Sequence, residues 1–304
     1  MTTFSAMGSN LSRTGLRAAI IGLVLVLLAG CSALRLGYDR GPLLARWWLD
    51  RYVDFEDTQL PVVKDGLGQW FTWHRATQMP EYAQLLARMR EEALQPATPE
   101  QMCRWGDELR RRVVVASEAL LPQAARVVPL LTPAQIDELQ ARFDKRNADF
   151  RKKVVQPKVE ERRRESVKRT VERIEDFYGR LDASQRQLVA ASLEASPFDA
   201  DGWYAQRQAQ QREIVATLRR LQAERADRER ALTALRVLHA RLTEPPPADP
   251  QSDAQRLLRH NCEFAARLHN TTSPAQRQHL RDKLGGWEAD VRVIVAPRGS
   301  AREG

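Results

Sequence analysis

Glycine, histidine and cysteine are scarce in this 304-residue chain, at 15, 5 and 3 residues. There is no glycine-rich loop to cradle a phosphate, no His-Glu-x-x-His metal helix and no Ser-His-Asp signature, so the common phosphoryl-transfer, zinc-protease and triad-hydrolase patterns are missing. β-branched residues seldom run together, which argues against a sheet-rich fold. Long apolar runs are lacking too. With 29% charged residues and a mean hydropathy of -0.51, a multi-span membrane protein is excluded. What is present is a 43% hydrophobic chain rich in Ala, Leu, Arg, Gln and Glu, too apolar for wholesale disorder and composed of strong helix formers. The expected fold class is all-α, an elongated multi-helix bundle with long helices.

The first 17 residues hold Arg13 and Arg17 and no acid, and are followed by the apolar run Ala18 to Leu28. As a helix that run rises about 17 Å, short of the roughly 20 residues a ~30 Å hydrocarbon layer requires, so it reads as a signal peptide rather than a permanent span. Leu28-Ala29-Gly30-Cys31 resembles the bacterial lipobox, which implies cleavage before Cys31 and acylation of its sulfur and new amino terminus. Two or three acyl chains anchor stably where one does not. The organisation expected is a signal peptide over 1–30, a helical periplasmic domain over 31–296 and a flexible tail over 297–304. By the same resemblance, Ser32 in place of an acid implies export to the outer membrane, on its periplasmic face.

Removing residues 1–30 leaves 46 cations against 39 anions, a net charge of +7. The stretch from Lys145 to Arg173 carries twelve cations and five acids, and so contains the whole excess. Lys145, Arg151, Lys152, Lys153, Arg162, Arg163, Arg164, Lys168 and Arg169 form a candidate anion-binding surface for an envelope protein or anionic polymer, with nucleic acid disfavoured by the compartment. The alternative is a solvated face in which Glu160, Glu161 and Glu165 pair within the helix.

Helix signals recur along the mature chain. A short helix opens at Gly41-Pro42 with an aromatic face of Leu44, Trp47, Trp48 and Tyr52. A second starts between Asp57 and Pro61 and lines up Leu60, Val63, Leu67, Trp70, Phe71 and His74. Pro80 suits the first turn of a third. Thr98-Pro99-Glu100-Gln101, Thr132-Pro133-Ala134-Gln135, Asp182-Ala183-Ser184-Gln185 and Ser273-Pro274-Ala275-Gln276 each read as a capping box. The helix after Thr132 is expected to continue, kinked at Pro157, toward Gly179. One long helix is expected after Gly202 through Leu242. A proline-rich loop over 244–251 then precedes a C-terminal pair near 252–270 and 274–295, which is too small to hold a core alone and must fold back.

Trp47-Trp48-Leu49-Asp50-Arg51-Tyr52, Trp73-His74-Arg75 with Met79-Pro80-Glu81-Tyr82, Leu131-Thr132-Pro133-Ala134-Gln135 and Ser273-Pro274-Ala275-Gln276-Arg277 together resemble a proteobacterial lipoprotein family, domain of unknown function 6279. That resemblance implies a helical outer-membrane-type lipoprotein with no assigned activity. Leu131 to Gln135 and the looser Leu181 to Gln185 also resemble the Leu-Thr-x-x-Gln motifs of small periplasmic stress chaperones, which offers chaperone-like client holding as an alternative function.

Trp73-His74-Arg75 is the sharpest polar cluster. His74 can be read as an acid–base group, the less favoured cell-wall-enzyme alternative, or as a half-buried histidine bonded inside the bundle. His260, Cys262, His269 and His279 cluster in sequence at spacings poor for one metal, and neither metal nor cofactor is expected. Trp47, Trp48, Trp70, Trp73 and Trp105 all fall in the first third of the chain that follows the signal peptide. They fit core packing, a bilayer interface or the lining of a ligand groove. If lipidation consumes Cys31, Cys103 and Cys262 are left as two thiols in an oxidising compartment and are expected to form a disulfide, the alternative being two buried small apolar residues. The chain reads as a non-enzymatic binding or structural module, membrane-held through acylated Cys31.

Overall fold

A computed structural model describes residues 34–155, 158–245 and 249–296, with Lys153 given by its backbone alone. The expected signal peptide, Cys31 and the tail over 297–304 lie outside the described residues, as does part of the proline-rich loop. The described residues are helical and contain no strand: α1 (Gly41–Val53), α2 (Leu60–Glu92), α3 (Pro99–Glu118), α4 (Leu121–Val127), α5 (Pro133–Phe150), α6 (Val159–Tyr178), α7 (Ala183–Glu194), α8 (Ala200–Ala223), α9 (Arg228–Thr243), α10 (Asp253–Asn270) and α11 (Pro274–Val295). A 3₁₀ turn at Val128–Leu130 and a π turn at Arg151–Val155 follow α4 and α5.

Three helix boundaries differ from the sequence expectation. Pro80 sits inside α2 instead of opening a new helix. The helix survives because contacts bridge the proline: His74 bonds Tyr82 across it, while Met79 and Ala83 pack together on Val291 and Ile294 of α11. The helix after Thr132 does not run on to Gly179. It closes through the π turn, and Lys158 is extended (ψ 146°) before α6 begins. The long helix expected after Gly202 is two helices. Arg225 takes the left-handed conformation (φ 48°), the Ala226 amide bonds back to the Leu221 carbonyl, and Asp227 caps α9. This reverses the chain without glycine, and Leu218 and Leu221 of α8 meet Leu235 and Leu238 of α9 in one core.

Three of the four expected capping boxes are complete. At Thr98 the hydroxyl accepts from the Gln101 amide, but the Gln101 carboxamide donates to Glu92 rather than to the cap. The two central boxes do more than cap. Gln135 and Gln59 bond each other reciprocally, joining the starts of α5 and α2, and Gln185 and Gln276 do the same for α7 and α11.

α2 is the spine. α1 folds back on it, with Gly41 so close to the Phe71 ring that a Cβ would stand 2.3 Å from it. α11 lies antiparallel along the other half, with Arg277 reaching the Leu94 carbonyl, Arg90 paired to Glu288 at 2.9 Å and Arg75 donating to the Ile294 carbonyl. The C-terminal pair therefore does fold back. The end of α10 holds the α2–α3 turn, since Asn270 bonds both the amide and the carbonyl of Ala97 and His269 donates to the Gln95 carbonyl.

Candidate functional site

A disulfide joins Cys103 on α3 to Cys262 on α10, with Cα atoms 5.4 Å apart and a sequence separation of 159. It fastens the C-terminal pair to the N-terminal half. In the chain-entropy model, closing a loop of that length stabilises by about 5 kcal/mol.

His74 is buried on α2. Its Nδ1 lies 2.9 Å from the Tyr38 hydroxyl and its Nε2 3.1 Å from the Tyr82 hydroxyl. A neutral imidazole donates through one nitrogen and accepts through the other, so one tyrosine accepts and the other donates. Trp70 stacks on the ring at 4.6 Å and spends its own N–H on the Ala116 carbonyl. Burial lowers the His74 pKa to about 4 and raises that of Tyr38 to about 12. The ring is therefore neutral near neutrality. Trp73 is half-buried beside it. Arg75 turns away, pairing with Asp39 at 3.1 Å and lying over the Tyr38 ring. The cluster is closed: both ring nitrogens are engaged by tyrosine hydroxyls that belong to the fold. The pairing of His74 with Tyr38 and Tyr82 is not legible in the sequence, because Tyr38 precedes the helix opening at Gly41 and Pro80 points to a helix start between His74 and Tyr82.

The other histidines do not converge. Cys262 is in the disulfide, His260 bonds the Ser192 carbonyl, and His269 accepts from the Tyr178 hydroxyl at Nδ1. Among the described residues no group of three or more His, Cys, Asp or Glu is arranged to hold a metal.

The basic segment is divided by the break between α5 and α6. Arg162 donates to the Val155 carbonyl and Arg163 pairs with Glu194, so both are engaged within the fold. Arg151 and Lys152 are exposed on the π turn, and Arg164, Lys168 and Arg169 are exposed on α6. Lys145 lies elsewhere. With Arg51, Arg142, Arg146 and Asp149 it lines a cleft of about 200 Å³ between α1 and α5, walled by Trp48 and Tyr52. Arg146 lies over the Tyr52 ring and bonds its hydroxyl. The helical signal for this cleft, Arg142-x-x-Lys145-Arg146 facing Trp48-x-x-Arg51-Tyr52, was legible only once α1 was known to lie on α5.

An all-α, disulfide-tied bundle with a closed histidine cluster and a cationic cleft is the class of protein defined by these features. The family model described as "Family of unknown function (DUF6279)" matches residues 51–239, and the chain belongs to that family. The match covers the Trp-His-Arg and Leu-Thr-Pro-Ala-Gln segments and stops short of the lipobox and of α11. No curated protein and no solved structure matches the chain.

Proposed function

We propose that the protein is a lipid-anchored, non-enzymatic binding module on the periplasmic face of the bacterial outer membrane. The observation that carries this reading is the arithmetic of the cysteines. Two of three are paired with each other, which fits an oxidising compartment, and the one left over stands at the end of the lipobox. The closed surroundings of His74 favour a structural over a catalytic role. The glutamines of the Leu-Thr-x-x-Gln-like segments are spent on joining helix starts, so that likeness lends no separate support to a chaperone. Arg151 and Lys152 on the π turn and Arg164, Lys168 and Arg169 on α6 are exposed cations of the basic segment that can meet an envelope protein or anionic polymer.

Metabolic labelling with a palmitate analogue tests the anchor. Label is expected on the wild type and absent from Cys31→Ala. Equal labelling of the two, or none on either, rejects it. Replacing Arg164, Lys168 and Arg169 with Gln is expected to weaken salt-sensitive association with anionic envelope material and leave helicity unchanged.

A further inference from the structure

α1 is amphipathic in an unusual sense, because the side it turns away from the bundle is apolar. Leu36, Leu43, Leu44, Trp47 and Trp48 are all exposed, at 58%, 53%, 49%, 57% and 51%. Their spacing of seven, one, three and one places them on one face of the helix and of the helical segment over 34–39 that leads into it. Trp47 and Trp48 have no buried partners to recruit them inward: Trp48 touches Tyr52, and Trp47 lies under the guanidinium of Arg51.

The position of this face is fixed by covalent reach. The segment ahead of α1 is clamped to the body, with Arg35 paired to buried Asp290 at 3.0 Å and Tyr38 bonded to His74. Between Arg35 and Cys31 stand only Ser32, Ala33 and Leu34. From Cys31 to Leu34 the chain spans at most about 11 Å. If Cys31 carries acyl chains, the leaflet that holds them lies within that distance of Leu34, and the clamp prevents the bundle from swinging far away.

The charges complete the fit. Arg40 and Arg51 are exposed beside the apolar residues. The cleft adjoining Trp48 is lined by Arg51, Arg142, Lys145 and Arg146 with one acid, Asp149, and Arg142 is also paired to Glu138 at 2.6 Å, which leaves the cations in excess. Apolar and aromatic residues flanked by cations are the pattern of an element that lies in the headgroup layer, with indole rings at the interface and cations on lipid phosphates.

We propose that this face of α1 docks onto the phospholipid leaflet that holds the anchor, with Trp47 and Trp48 in the interface and a lipid phosphate in the cleft between α1 and α5. The proposal rests on the lipid-anchor reading and adds an orientation: the bundle lies against the membrane along α1 instead of hanging from a tether.

The test uses the full acylated chain reconstituted into vesicles that carry brominated acyl chains, with flotation to measure anchoring and tryptophan quenching to measure docking. Quenching is expected in the wild type. The double variant Trp47→Phe, Trp48→Phe should float equally well and show about threefold less quenching, because the docking face loses both of its indoles. Quenching should be stronger with phosphatidylglycerol present than in phosphatidylcholine alone. Arg142→Gln combined with Lys145→Gln should erase that difference. A wild type that floats without quenching overturns the docking and leaves the anchor standing. A wild type that does not float overturns the anchor. Unchanged quenching in the tryptophan variant, lipid dependence that persists in the cleft variant, or crosslinks between copies through a photoreactive residue at position 48 would each assign the face to something other than the leaflet.

Discussion

α1 and α11 both lie on α2, yet they use that helix in opposite ways. α11 buries Leu280, Leu284, Val291 and Ile294 and takes two carboxylates, Glu288 and Asp290, inside with them. Each acid is compensated: Arg90 and Arg292 hold Glu288, and Arg35 holds Asp290. α1 buries Gly41 against Phe71 and leaves Leu43, Leu44, Trp47 and Trp48 outside. Polar groups are thus drawn in where the bundle must hold itself together, and apolar groups are left out where it meets something else. The difference teaches that apolar content alone does not mark the core here. The core helix is recognised by what its polar residues bond to.

The α11 side breaks most strongly at the cross-link. Cys103→Ser with Cys262→Ser removes the loop closure that keeps α10 on α3, and is expected to cost about 2–5 kcal/mol. Urea midpoints with and without reductant would measure it, with the wild type in reductant matching the double variant. If the midpoints coincide under all conditions, α11 holds the C-terminal pair without help.

The polar interior of α2 comes next. His74→Leu strands the hydroxyls of Tyr38 and Tyr82, and about 2–3 kcal/mol should be lost. The histidine also predicts a pH dependence. Its folded pKa, about 4, lies below the value of 6.5 expected when unfolded, so between those values the unfolded chain binds the extra proton and the folded one does not. Stability is full above pH 6.5 and falls as pH drops toward 4. His269, whose pKa burial also lowers, adds a slope of the same sign. His74→Leu should flatten the curve of stability against pH in that window, and His74→Leu with His269→Leu should flatten it further.

Much of this frame is readable in the sequence, and what is not has physical causes. Helix starts are legible because Thr132, Asp182 and Ser273 each carry their glutamine three residues on, and α10 and α11 fall within a residue of their expected bounds. Helix ends are less so. The α8–α9 reversal is made by Arg225 in a left-handed conformation that glycine usually marks, and an unbroken leucine stripe ran straight over it. Pro80 misleads in the opposite sense, since only the contacts of His74, Met79 and Ala83 across it keep α2 whole. Of the candidate site residues, His74 falls on the buried face by spacing, whereas its bond to Tyr82 depends on the helix running through Pro80, and its bond to Tyr38 and the cationic cleft depend on which segments lie side by side. A single sequence does not carry that information.

Between the two helices lies the clamp of Arg35 on Asp290. Asp290 is buried and Arg35 is part-exposed, so the pair is worth less than a wholly buried one. Asp290→Asn is expected to cost about 1 kcal/mol and to raise amide exchange in residues 34–40. Exchange that stays slow would show that Tyr38 on His74 is enough to hold the segment, and the comparison would then rest on the histidine cluster alone.

The smallest effect is expected on the α1 side. Trp47→Ser with Trp48→Ser removes two indoles from water and not from a core, so the urea midpoint should stay within about 0.5 kcal/mol of the wild type. Two local terms set that limit. Arg51 loses the Trp47 ring beneath it, and Tyr52 loses Trp48 at 4.9 Å, but each is an exposed contact. Tyr52 keeps Arg146 over its ring and bonded to its hydroxyl, so the packing of α1 on α5 should survive. The same double substitution made on the α11 side, Leu284→Ser with Ile294→Ser, removes two fully packed side chains and should cost several kcal/mol. If the two pairs cost alike, the exposed face of α1 is part of the fold's own interior in solution, and its apolar residues are not reserved for a surface outside the chain.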